Sequence, residues 1–229
     1  MINELTLKRD ALLKNIDKNK IARDIKGILP SVEVMFIYFG GSVAYNSFVG
    51  DKSDFDLVVF VDGFHKVFQT SYNNMDLFIY PKNAITERYN KDNDYPFYKQ
   101  CFLDDVLSLP ATLVYLNPNY EKEYNEFKNK DFNGVLHGFL DNFYNYHMFC
   151  FNGLTEMAKK FYHVIRMKGQ IENYKKTGKF TLDIAPEYYK EMMDLKLHYD
   201  DKNRKDEFLK KIEEYLKDIY EFKEVLTYG

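Results

Sequence analysis

Every run in this chain with strand-like composition falls before residue 117, and everything beyond carries helical spacing. Val32–Phe39 is rich in β-branched and aromatic residues and stops at Gly40-Gly41. Phe55–Val61 begins directly after Asp54, Asn73–Tyr80 is closed by Pro81, and Thr112–Leu116 reads as a short strand closed by Pro118. Ahead of them Leu5, Leu12, Ile16, Ile21, Ile25 and Leu29 recur at helical spacing up to Pro30, which predicts one or two opening helices. Ser42–Phe48 has room for about two helical turns. Residues 83–109 read as helical with a break near Pro96, and further helices are predicted over 134–151, 154–177, 186–198 and 205–226. The pattern predicts an α+β protein in which a small mixed β-sheet with flanking helices, over 1–117, precedes an α-helical unit over 118–229.

At 229 residues the chain can bury a substantial core in two packed units. Lys and Arg number 32 against 35 Asp and Glu, a net charge of -3, so no global basic field is available to hold nucleic acid, and any polyanion must meet a local patch. Cys101 and Cys150 lie far apart without disulfide or zinc spacing, which predicts reduced thiols in a cytoplasmic protein. The opening thirty residues lack the apolar core of a signal peptide, and no run approaches the roughly 18 apolar residues of a bilayer span, so no membrane association is expected. Aromatics make up 17 % of residues, all Phe and Tyr, beside abundant Lys and Asn; the mixture fits an AT-rich bacterial or viral genome.

The chemistry concentrates in Gly40-Gly41-Ser42, Asp54-Phe55-Asp56 and Asp76. Side chains two apart on a strand point the same way, so Asp54 and Asp56 present both carboxylates on one face, with Cα atoms about 6.6 Å apart. Asp76 on a neighbouring strand can complete a three-carboxylate cup. Hard oxygen ligands of this kind suit Mg²⁺ or Mn²⁺, and two ions about 3.5–4 Å apart can activate a hydroxyl and neutralise leaving pyrophosphate. Gly40-Gly41 lets the backbone approach a phosphate, and Ser42 occupies the expected helix N-cap, where amides and the helix dipole favour a triphosphate. The bland alternative is an ordinary Gly-Gly turn, a capping serine and an Asx-type strand start. Asp51, beside Gly50, and Asp62, at the strand end, read as turn residues.

The segment GGSVAYNSFVGDKSDFDLVVF, with Asp76 downstream, resembles the catalytic signature of the DNA polymerase beta superfamily of nucleotidyltransferases, and most closely the YcgL-type predicted nucleotidyltransferases of bacteria and phages. Their Gly-Gly-Ser-x-Ala-Tyr pattern is similar to residues 40–45, and a later Lys-x-x-x-His-x-x-Arg pattern to Lys159, His163 and Arg166. The family carries Gly near the position of Asn46. The resemblance implies a nucleotidyltransferase core with Asp54, Asp56 and Asp76 as catalytic metal ligands. Gly40, Gly41, Ser42, Lys159, His163 and Arg166 would lie around an NTP donor, with two Mg²⁺ ions, or Mn²⁺, as cofactor. The acceptor hydroxyl stays open among a tRNA or other RNA 3′ end, a small molecule and a protein side chain. A reading from another class is a non-catalytic nucleotide- or partner-binding protein of antitoxin or counter-defence type.

On a helix from 154 to 177, Lys159, His163, Arg166 and Gln170 share one face, opposite Met157, Phe161, Val164 and Ile165. Seven Lys or Arg against two Glu between Glu156 and Lys179 make this the one clear basic patch, expected across a cleft from the aspartates, although a solvated amphipathic face has the same pattern. His137 and His147 sit among Phe, Tyr and Leu and are expected to pack. Tyr144, Tyr146, Phe149 and Phe151 could stack on a base, but core packing is the expectation. Phe208, Ile212, Tyr215, Leu216 and Ile219 stripe the last helix, for packing or for a homodimer.

Overall fold

The computed structural model describes residues 4–49, 53, 55–84, 107–129, 133–153 and 161–228. Asp51, Asp54, Cys101, Lys159 and the helical readings over 85–106 and 154–160 lie outside them. The chain forms two compact units, Met1–Phe132 and Asn133–Gly229.

In the first unit the opening segment is two helices, α1 (Glu4–Lys14) and α2 (Lys18–Ile28), separated where Asp17 accepts the Lys20 amide at 2.9 Å and caps α2. The sheet comprises β1 (Glu33–Phe39), β2 (Phe55–Asp62), β3 (Phe68–Tyr72), β4 (Met75–Pro81) and β5 (Leu113–Leu116), in spatial order β3-β4-β2-β1-β5. Of the strand pairs among the described residues, β2 and β4 alone run parallel, so the sheet is mixed and the fold is α+β. A single turn, α3 (Gly41–Ala44), joins β1 towards β2, and α4 (Glu121–Lys128) follows a 3₁₀ turn at Pro118–Tyr120.

Two local expectations are corrected. Ser42–Phe48 holds one helical turn, not two, because the chain leaves helical geometry at Asn46, with φ +53°. Strand β3 has no counterpart in the sequence reading, and β4 begins at Met75 instead of Asn73. Asn73 and Asn74 take φ +47° and +61°, a two-residue turn of the kind whose twist suits a tight hairpin and for which asparagine is favoured.

The sheet buries both faces. On one, Ile37, Phe39, Leu57, Val59, Leu77 and Ile79 pack with Leu13 of α1 and Ala22 and Ile25 of α2. On the other, Phe36, Tyr38, Phe60 and Tyr80 form an aromatic layer closed by Phe127 of α4, whose ring lies 5.8 Å from that of Phe60. Met35 is an extra residue in the β1–β2 register, which lets Val34 join the first face and Phe36 the second.

The first unit extends through 132, past the 117/118 division read from sequence, because α4 supplies that aromatic lid and Tyr120 ties its approach to the sheet. The Tyr120 hydroxyl lies 2.8 Å from Glu33 Oε2 and 3.1 Å from Asp62 Oδ2, between two carboxylates that are register partners on β1 and β2. Hydrogen bonds from Tyr120 and then Asn117 hold the Glu33 carboxyl below its ordinary range. Burial pushes Asp62 up, but Tyr120, Lys82 and the Gly63 amide bring it below its usual value. Asp62 is thus a structural residue at the strand end. Tyr120→Phe is expected to lower the melting temperature by roughly 2–4 °C, the shift that loss of one buried hydroxyl's bonding gives a chain of this size. Depressed carboxyls stabilise above their unfolded pKa values and lose that stabilisation as pH falls through the folded ones. The gap between Tyr120→Phe and the parent should therefore close as pH drops below about 4, and thermal melts across that range check both statements.

Among the described residues the second unit holds four helices, α5 (Asn133–Gly153), α6 (Tyr162–Thr177), α7 (Pro186–His198) and α8 (Lys205–Tyr228). From Val164 to Ile171 every residue of α6 is buried, so this is its central helix. Gly169 sits where a Cβ would come within 2.5 Å of Ile184 Cγ2 and 2.8 Å of Tyr188 Cβ, the close approach that packs α6 against α7. Gly169→Ala is expected to destabilise by about 1–3 kcal/mol through overpacking, despite its gain in helix propensity, as urea unfolding will measure. Ile212, Leu216 and Ile219 of α8 are buried, and α8 packs against both α5 and α6. Lys168 joins α6 to α8 through Asp218 at 2.6 Å, and Lys223 joins α8 to α5 through Asp141 at 2.8 Å. Among the aromatic residues expected in the core, Tyr146 and Phe149 depart, 38 % and 76 % exposed, while His147 beside Tyr146 is fully buried and stacked on Phe143.

Candidate functional site

Asp56 and Asp76 are register partners on the parallel strands β2 and β4. Paired residues of neighbouring strands point to the same side about 4.8 Å apart, and Leu57 and Leu77, one step on, belong to the helix-covered face. Both carboxylates therefore rise from the opposite face, at its N-terminal edge, where each is half-buried. Like charges so placed repel, and a divalent cation between them relieves the repulsion.

Gly41 abuts this pair. It takes φ +48°, and a Cβ built on it would lie 1.9 Å from Asp56 Oδ2 and 2.9 Å from its Cγ. No other residue type fits there without displacing the carboxylate. The Gly40 amide donates to the Asp56 carbonyl at 2.9 Å, so backbone and carboxylate are fixed against the same turn. The far end of the turn is held by Arg9 of α1, whose Nη1 reaches the Ala44 carbonyl at 3.4 Å. Asn46 occupies its left-handed position as glycine would, since a short amide side chain tolerates that conformation.

The role read for Ser42 is corrected. Gly40 is the N-cap, without a side-chain hydrogen bond, and Ser42 lies one residue inside the turn and is 6 % exposed. With only four residues, α3 has scarcely any macrodipole, so any attraction for phosphate must come from the individual backbone amides of the turn.

Ser71 escaped the sequence reading because β3 did. Its hydroxyl donates to Asp76 Oδ1 at 3.1 Å across the hairpin, fixing the orientation of that carboxylate. The only signal was the Asn73-Asn74 turn, which places residue 71 opposite 76.

Asp54, the third expected ligand, precedes β2 outside the described residues. Among the described residues no group of three or more His, Cys, Asp or Glu is placed to hold a metal ion. What is present fits a hard divalent cation: two carboxylates on adjacent strands, oxygen donors only, and a glycine turn that leaves their rim free of a Cβ.

His163 and Arg166 stand on α6 in the second unit, three residues apart and hence on neighbouring positions of the helix. The expected basic patch divides over the described residues: Lys175, Lys176 and Lys179, at the end of α6 and just past it, are exposed, whereas Arg166 and Lys168 are buried. Arg166 is 4 % exposed, and Lys168 and Lys175 are engaged by acidic side chains, Lys168 with Glu172 and Asp218 and Lys175 with Glu172. Burial pushes Lys168 down, but those carboxylates hold it above its ordinary value, so it stays charged as a structural ion.

No helix among the described residues is long and apolar enough to cross a membrane. A scan against protein-family models finds no match to this chain, and a search of curated proteins finds none either.

Proposed function

We propose that the chain is a Mg²⁺-dependent nucleotidyltransferase that moves a nucleoside monophosphate from an NTP to an acceptor hydroxyl, releasing pyrophosphate. The observation that carries this reading is the placement of Asp56 beside Asp76 with the backbone of Gly41 pressed against Asp56. A turn that admits no Cβ next to paired carboxylates suits a ligand that is anionic and bound through metal, as a triphosphate is.

Asp56 and Asp76, with Asp54 at the entrance to β2, would hold the cation. When bound it would supply neutralisation of the leaving pyrophosphate and activation of the acceptor hydroxyl. Ser71 engages Oδ1 of Asp76, so Oδ2 is the atom assigned to metal or to the acceptor's proton. Gly40 and Gly41 admit the phosphates close to the main chain, and the first-turn amides of α3 orient them. Triphosphate contacts from Lys159, His163 and Arg166 remain part of the proposal, as does the choice among RNA end, small molecule and protein hydroxyl as acceptor.

The test is calorimetry of each NTP with and without Mg²⁺, followed by assay of pyrophosphate release and label transfer in cell lysate. Mg²⁺-dependent binding with label transfer supports the reading. Binding without turnover would identify a sequestering protein instead, and no binding at all would overturn both.

A further inference from the structure

The two edges of the sheet are treated differently. Strand β5 is half-buried throughout and guarded by lysines of α2: Lys18 Nζ donates to the Leu113 carbonyl at 2.7 Å, and Lys26 Nζ to the Tyr115 hydroxyl at 2.8 Å. Edge strands are ordinarily blunted in this way, by charge, proline, a bulge or a covering element, because their outward amides and carbonyls template pairing with another chain. Strand β3, the opposite edge of the sheet among the described residues, reads Phe68-Gln69-Thr70-Ser71-Tyr72. It has no charge, no proline and an unbroken register with β4, and its three central residues are exposed.

We infer that β3 is a homodimer edge, pairing antiparallel with β3 of a second copy about a two-fold axis through Thr70 to make one continuous ten-stranded sheet. In the hairpin, Tyr72 and Met75 flank a two-residue turn, so Phe68, Thr70 and Tyr72 turn their backbone groups towards β4. Gln69 and Ser71 turn theirs outward. A two-fold at Thr70 sets Gln69 opposite the partner's Ser71, and Ser71 opposite the partner's Gln69, so the outward groups meet as two hydrogen-bonded pairs. The side chains match as well as the backbone. Phe68 meets the partner's Tyr72 on the helix-covered face, Thr70 meets its own copy, and no like charges oppose each other, all favourable cross-strand pairs. Phe64, 36 % exposed with its ring 5.2 Å from that of Phe68, extends the apolar contact beyond the strand. The sequence is thus self-complementary in side chains and in hydrogen-bond direction, which selects a second copy over an arbitrary peptide. The pairing also brings the partner's Gln69 beside Ser71, the residue that orients Asp76.

Sedimentation of the full chain up to about 100 μM, the range in which small interfaces associate, tests this. A reversible dimer is expected. Thr70→Lys and Thr70→Glu each place like charges at the two-fold and should weaken association by roughly tenfold or more. Mixing the two variants should restore it as a heterodimer, a rescue that loss of folding in either variant would not produce. Gln69→Pro, which removes an outward amide and spares the bonds to β4, should also give a monomer with an unchanged circular dichroism spectrum. A parent chain that stays monomeric across this range, or a dimer indifferent to Thr70→Lys, would overturn the inference.

Discussion

Asparagine at position 56 is expected to reduce Mg²⁺-dependent pyrophosphate release by roughly a thousandfold while leaving the melting temperature equal or higher. Asn and Asp have the same shape, so the contact with Gly41 and the β2–β4 register survive. What changes is charge. On the proposed function a cation held at the pair would contribute several kcal/mol of charge stabilisation, and about 4 kcal/mol corresponds to three powers of ten in rate. The folded chain gains slightly, because Asp76 loses a like-charged neighbour. Turnover, thermal melting and Mg²⁺ titration measured together decide the matter. A variant that turns over like the parent would remove Asp56 from the site, and one that merely melts early would make it structural.

Alanine at position 41 should damage fold and site together. An L-residue at φ +48° costs about 1–2 kcal/mol, and the Cβ, 1.9 Å from Asp56 Oδ2, forces either the carboxylate or the turn to move at about 1–3 kcal/mol more. A fall in melting temperature of roughly 5–10 °C is the expected result, with Mg²⁺ affinity lost alongside it. The cause can be isolated by a double-mutant cycle. In an Asp56→Ala background the clashing oxygen is gone, so Gly41→Ala should cost only its backbone penalty, and the two changes should combine to less than their sum. Strict additivity would mean that the turn and the carboxylate are not coupled as the geometry requires.

Much of the fold was legible because the relevant signals are local. β-branched and aromatic runs marked β1, β2 and β4, Pro30 and Pro81 bounded them, and helical spacing gave the bounds of α7 to the residue, Pro186–His198. β3 was missed because Phe68–Tyr72 is short and mostly polar, an edge strand that buries little and so has no apolar pattern. The α3 turn was overestimated because helical spacing in a short stretch cannot announce that Asn46 will turn left-handed. The Lys and Arg excess around α6 was counted correctly, but composition does not register that Lys168 and Lys175 meet Glu172 and Asp218.

The sequence by itself determined the α+β class, the order of most elements and the aspartates and glycines worth attention, since residue identity and short periodicities act within a few positions along the chain. Only the tertiary structure decided that Asp76 stands beside Asp56 on a parallel strand, that Ser71 orients it, and that Gly41 is glycine because a carboxylate occupies the space of its Cβ. These are relations between segments brought together by the sheet register, and register is set by which faces are buried, not by any one segment's composition.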